Sequence, residues 1–116
     1  MRKIEIKDKK LRLSLQDDRL RQRLYGTQMA EKIRLRMNAL AAAESLADLW
    51  PPMSGPERCH ELRANEAGTF SIDLAHPYRL LFRPIDIPAL PDGSDERQRW
   101  SAITSIEILG IKNTHG

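Results

Sequence analysis

A lone cysteine, Cys59, leaves this 116-residue chain unable to form an internal disulfide, which sets aside the small disulfide-stapled scaffolds of the secretory route. Histidine is scarce as well: His60, His76 and His115 are the only three. None stands at H-x-x-x-H spacing and there is no C-x-x-C pair, so a dedicated zinc site is not expected. Apolar runs are short fragments such as Leu80-Leu81-Phe82, far below the roughly 18 residues of a membrane span. The opening stretch MRKIEIKDKK has no apolar core of the kind a secretory signal needs. A soluble, cytoplasmic protein is expected. No long block of a single charge sign argues for disorder.

What is present suits one compact domain spanning residues 1–116. Hydrophobic residues make up 41% and charged residues 30%, which is enough apolar material for a core of this size. Nineteen Lys and Arg against 16 Asp and Glu give a net charge of +3. That excess permits a nucleic-acid partner without demonstrating one.

Periodicity divides the chain. Ile4-Glu5-Ile6 alternates and predicts a short first strand. From Asp8, leucines at 11, 15, 20 and 24 predict a helix, with Asp17-Asp18 as a possible kink or second N-cap. Gly26 suits the end of that helix and Thr27 the start of another, whose apolar stripe is Ala30, Ile33, Met37, Leu40 and Ala41. The two helices should form a hairpin. Trp50 to Glu57, with its prolines and glycine, is a connector. Beyond it the period becomes two. Phe70, Ile72 and Leu74 alternate with polar residues, as do Tyr78, Leu80 and Phe82, with Ala75-His76-Pro77 as the turn between them. Arg58 to Arg63 reads as a short strand ahead of these, residues 84–99 as a loop, and Trp100 to Ile111 as a long last strand.

The expected fold is therefore α+β: a small antiparallel β-sheet with an N-terminal helical hairpin packed on one face. Alternation places Ser71, Asp73, Arg79 and Arg83, with Leu81 among them, on the other face. A sheet face free of helices and carrying arginines suits RNA.

Three segments carry a resemblance: YGTQMAEKIRLRMNALAAAESLADL, RCHELRANEAGTFSIDLAHPYRLLFRP after the proline-rich break, and the closing WSAITSIEILGIKNTH. Together they resemble the HigB-like toxins of the RelE/ParE superfamily, the toxin components of type II toxin–antitoxin modules, also described as plasmid maintenance killer proteins. The resemblance runs from about Lys3 to His115. It implies a RelE/ParE-like fold and a ribosome-dependent endoribonuclease, or mRNA interferase, that cuts messenger RNA in the decoding site. The implied partners are the ribosome, messenger RNA and a cognate helix-turn-helix antitoxin (HigA-like), with operator DNA contacted only through the antitoxin. Since the ParE branch poisons gyrase instead, a non-nucleolytic toxin is the alternative, and a third is an inactive toxin-fold protein acting through antitoxin and operator.

RNA cleavage by a 2′-hydroxyl requires proton transfer near neutral pH and a fixed cation for the charge on phosphorus, roles suited to histidine and arginine. Neither a metal nor another cofactor is expected. His60 matches the family's histidine before a Leu-Lys/Arg pair and is a candidate general base or acid. Arg63 stands where such toxins usually carry lysine, Arg79 matches the arginine in the middle of the sheet, and His115 matches the histidine of a terminal Tyr-His pair, with Thr114 replacing the tyrosine. These four are the catalytic candidates, and Arg83 is a candidate for RNA binding. In an unbroken strand His60 and Arg63 would point to opposite faces, so the site requires the strand to break or end between them. Cations along the helices, including Lys9, Lys10, Arg12, Arg19, Arg21, Arg23, Lys32, Arg34 and Arg36, are further candidates for ribosomal RNA.

Overall fold

A computed structural model describes residues 1–113. Its elements run β1 (Lys3–Glu5), α1 (Lys9–Gln16), α2 (Asp18–Ala42), β2 (His60–Glu61), β3 (Phe70–Asp73), β4 (Tyr78–Pro84), α3 (Glu96–Ser101) and β5 (Ser105–Asn113), with 3₁₀ turns at Leu46–Leu49 and Ala64–Glu66. The strands form one five-stranded sheet in the order β1-β5-β4-β3-β2, giving the expected α+β class. The sheet is not wholly antiparallel, because β1 pairs parallel with β5. No hairpin joins that pair: the helices after β1 lead to β2 at the opposite edge, and β5, the last strand, comes back to lie beside β1, free of the antiparallel constraint a tight turn would impose.

Aspartates set the helix boundaries. Asp8 accepts from the Leu11 amide at 2.9 Å, and Asp17 accepts from the Leu20 amide at 2.8 Å. The Asp17 N–H also donates to the Leu13 carbonyl at 2.9 Å, so one residue closes α1 and opens α2. Each such cap contributes about 1 kcal/mol. The break expected at Gly26 is present: Gly26 takes a non-helical φ 79° and ψ 167°, a region that favours glycine, and divides α2 into two helical stretches. The helices still fold back on each other: Ser14 Oγ lies 3.0 Å from the Tyr25 hydroxyl.

One face of the sheet builds the core. Phe70 and Ile72 of β3 lie opposite Phe82 and Leu80 of β4, and all four join Ile106 and Ile108 of β5 with Leu15, Met29, Ile33 and Leu40 of the helices. Between the pairs Phe82–Ile108 and Leu81–Gly110, β5 carries one extra residue. This bulge shifts the alternation so that Ile111 pairs with Leu80 and packs against the same core.

Trp100 departs from its expected place at the head of the last strand. It sits in α3, 1% exposed, in edge-to-face contact with Trp50 at 5.1 Å and Phe70 at 5.6 Å between ring centroids. Asp95 and Gln98 close a capping box at the start of α3, a signal already present in Asp95-Glu96-Arg97-Gln98. The loop read as 84–99 is correspondingly shorter. Pro84 ends β4 and helix begins at Glu96.

Ile72 is fully buried and Leu109 is 42% exposed, so the same truncation should separate the two positions. Ile72→Ala should lower unfolding free energy by about 2–5 kcal/mol in urea denaturation, and Leu109→Ala by about 0.5 kcal/mol or less.

Candidate functional site

Strand register decides which polar side chains share the face opposite the core. His60 pairs with Ser71, Ser71 with Leu81 and Asp73 with Arg79, and on the far side Arg79 pairs with Lys112 and Arg83 with Glu107. Residues directly opposite in an antiparallel ladder point the same way. His60, Asp73, Arg79 and Arg83 therefore lie on one face, as the alternation of β3 and β4 implied for the last three. His60 and Arg79 are two strand spacings apart, about 10 Å, and offset along the strands by about 7 Å.

His60 is held through its ring. Nδ1 lies 3.0 Å from the carbonyl oxygen of Arg58. A carbonyl can only accept, so Nδ1 carries the proton and neutral His60 presents its Nε2 lone pair as an acceptor. The arrangement depends on an uncommon backbone conformation, since Arg58 has φ 47°. A non-glycine residue there costs on the order of 1–2 kcal/mol.

Asp73 occupies the centre of the face. Its Oδ2 lies 3.2 Å from Arg58 Nε and its Oδ1 3.4 Å from Arg79 Nε. The second contact is an ion pair by distance but is not aligned as a hydrogen bond, and Oδ1 is buried without a hydrogen-bond partner among the described residues. The Asp73 backbone is tied on both sides. Its N–H donates to the Glu57 carbonyl at 2.8 Å, and its carbonyl accepts from Nε of Arg36 at 2.7 Å. Arg36 is a buried residue of α2, so the helix layer reaches the strand end that presents the carboxylate.

The face is less open than alternation suggested. Ser71 is fully buried, its Oγ without a hydrogen-bond partner among the described residues. Glu66, in the turn after β2, lies 2.8 Å from Lys112 of β5, so that turn folds back over the polar side. Arg63 immediately precedes it. Because β2 ends at Glu61 and Ala64 takes φ 59°, strand alternation no longer dictates where Arg63 points. The required strand end is present. Arg63 is exposed. His115 and Thr114 lie outside the described residues.

Several cations are already engaged. Arg83 contacts Oε1 of Glu107 through Nε at 2.8 Å and through its terminal nitrogen at 2.7 Å, with Lys7 3.8 Å from the same oxygen. Glu107 is only 6% exposed, and Arg83 compensates that buried charge. Among the helix cations, Arg12 donates to the Ile6 carbonyl and Arg21 to the Leu15 carbonyl and Asp18. Arg34 pairs with Glu31 and holds that carboxyl below its usual range. A cleft of about 610 Å³ lies between the α2 interruption and the β3–β4 turn, lined by Leu24, Tyr25, His76 and Tyr78 among others. His60 and Arg79 line no part of it. Their site is a surface of the sheet, a shape suited to a polymer.

Arg58, Asp73 and Glu107 complete the face beyond the candidates expected to do chemistry. Arg58 stands two residues before His60, so alternation alone could have placed it there.

In overall fold the chain is similar to the "YoeB-YefM complex from Staphylococcus aureus", with a TM-score of 0.54 and 15% identity over 97% of this chain and 95% of that one. The "YoeB/ParE toxin from Agrobacterium tumefaciens" aligns over 96% of this chain and 97% of its own, with 19% identity and a TM-score of 0.49. The first likeness is one of fold. No family model and no curated protein matches the sequence.

Cys59, between Arg58 and His60, points the other way into the core and is fully buried. Burial, with Glu57 nearby, pushes its thiol up to about 12 from 9.0. Below about pH 9 the thiol is neutral both folded and unfolded. Above it the unfolded chain ionises while the folded thiol keeps its proton, so stability falls as pH rises toward 12. Urea midpoints followed from about pH 8 to pH 11 should drop more steeply in the native sequence than in Cys59→Ala. Parallel curves would show that the thiol is not buried.

Proposed function

We propose that this chain is the toxin of a type II toxin–antitoxin pair, HigB-like by its sequence, acting as a ribosome-dependent endoribonuclease on messenger RNA. The observation that carries the reading is the placement of His60, with Nε2 available as an acceptor, on the same polar face as Arg79. The fold likeness to the YoeB–YefM complex supports a toxin role and an antitoxin partner. By the sequence resemblance that antitoxin is a HigA-like helix-turn-helix protein, through which operator DNA is reached.

In the proposed reaction His60 Nε2 takes the proton of a 2′-hydroxyl, whose oxygen attacks the adjacent phosphorus and expels the 5′-oxygen. The leaving oxygen takes up a proton, for which His115 is the candidate donor. Arg79 offers a forked set of N–H donors to the charge that accumulates on the phosphoryl oxygens. Arg63 is a candidate second cation from the turn over the face, and Arg83 borders the RNA path while holding Glu107. The same chemistry at a ribosome would act in the cytoplasm.

Expression of the chain should arrest growth and create new messenger 5′ ends inside reading frames. His60→Ala and Arg79→Ala should each lower cleavage on programmed ribosomes by about 100-fold or more. Growth arrest with intact messages and inhibited gyrase supercoiling would replace this reading with the non-nucleolytic one.

A further inference from the structure

We propose that Asp73 is a positioning residue for His60, acting through Arg58: it holds Arg58 in the left-handed conformation whose carbonyl fixes the tautomer of the imidazole. That this tautomer serves cleavage rests on the endoribonuclease reading; the linkage itself rests on geometry. The peptide group between Glu57 and Arg58 is pinned at both ends. Its carbonyl accepts from the Asp73 N–H at 2.8 Å, and its N–H donates to the Ser54 carbonyl at 3.1 Å. Arg58 then takes φ 47°, and its own carbonyl lies 3.0 Å from Nδ1 of His60. With the preceding peptide plane fixed, φ is set by the direction in which Cβ of Arg58 leaves the backbone. That direction is tied down as well, since Nε at the far end of the side chain lies 3.2 Å from Oδ2 of Asp73. Asp73 therefore grips Arg58 twice, through its amide on the peptide plane and through its carboxylate on the side chain.

A non-glycine residue stays in the left-handed region only where its surroundings over-determine it. Turning φ of Arg58 to an ordinary negative value would swing its side chain off the carboxylate. Because the chain beyond its Cα turns with it, the same rotation would carry the Arg58 carbonyl away from the His60 ring. Nδ1 would then lose the acceptor that keeps its proton, and the ring could place that proton on Nε2, the atom the proposed reaction uses as a base. Asp73 is itself firmly placed, its carbonyl accepting from Nε of buried Arg36 at 2.7 Å. The segment is anchored beyond Arg58 too, where the Cys59 carbonyl accepts from the Met53 N–H at 3.0 Å and the Cys59 side chain is fully buried.

The test reads the His60 tautomer directly, from long-range proton–nitrogen NMR correlations of the imidazole rings in the full chain at about pH 8.5, where imidazole is neutral. The native chain should carry the His60 proton on Nδ1. Asp73→Ala, which removes the carboxylate and keeps the backbone N–H, should lower the Nδ1–H to Nε2–H ratio about three- to fivefold, the range an exposed ion pair allows. Arg58→Ala should lower it as much without touching the partner of Arg79. Arg58→Gly should keep the native ratio, because glycine holds a positive φ without a latch, and adding Asp73→Ala to it should change nothing further. A native His60 protonated on Nε2, or a ratio unmoved by both alanine variants, would overturn the proposal. So would equal losses in Arg58→Ala and Arg58→Gly, since the left-handed backbone would then not be what Asp73 holds. Cleavage on programmed ribosomes is read separately, and kcat should fall with the tautomer ratio while KM stays unchanged in Arg58→Ala. Native cleavage despite a shifted tautomer removes the positioning role alone, and the expected tautomer pattern in a chain that never cleaves keeps the linkage and removes the endoribonuclease reading.

Discussion

The pairing of β3 with β4 is the constraint on which the rest of the molecule depends. Ile72 opposite Leu80 and Phe70 opposite Phe82 supply the sheet's contribution to the core, while Asp73 opposite Arg79 and Ser71 opposite Leu81 fall on the reverse side. One register serves both layers. A slip of one residue would expose the four apolar side chains and drive Asp73 and Arg79 into the hydrophobic layer. Burial of Phe70, Ile72, Leu80 and Phe82, each 3% exposed or less, is thus what holds the polar constellation in place.

Asp73 is where the layers meet. Its carbonyl receives the buried guanidinium of Arg36 from α2, its amide bonds to the connector at Glu57, and its carboxylate lies between Arg58 and Arg79. Desolvating Arg36 is tolerable because its charge meets a strand-end carbonyl. A residue in the helix layer thereby stiffens a carboxylate on the far side of the sheet. Buried Oδ1 and Ser71 Oγ, both without hydrogen-bond partners among the described residues, mark the same region as one not optimised for stability alone.

The distribution of charge shows why net charge is a poor guide to a binding face. Arg12, Arg21, Arg34 and Arg36 on the helices are committed to carbonyls or carboxylates, and Arg83 covers Glu107. Arg58 and Arg79 both lie against Asp73 on the polar face of the sheet, a placement that no tally of basic residues would single out.

Much of this was legible in the residues themselves. The period-two runs at 70–74 and 78–82, the helical stripe through Ile33 and Leu40, and the placement of Asp73, Arg79 and Arg83 opposite the core all follow from local stereochemistry. Alternation and helical repeat act over a few residues and need no partner. The parallel seating of β1, the bulge that turns Ile111 inward and the return of the Ala64–Glu66 turn to Lys112 depend on contacts between segments far apart in the chain. So does the meeting of Arg58 and Arg79 over Asp73. In each, a left-handed residue, an extra residue or a distant charge overrides local preference, since the energy that selects it exists only once the sheet has assembled. The sequence by itself determined which residues face the core. The assembled tertiary structure decided which of the others stand close enough to act together.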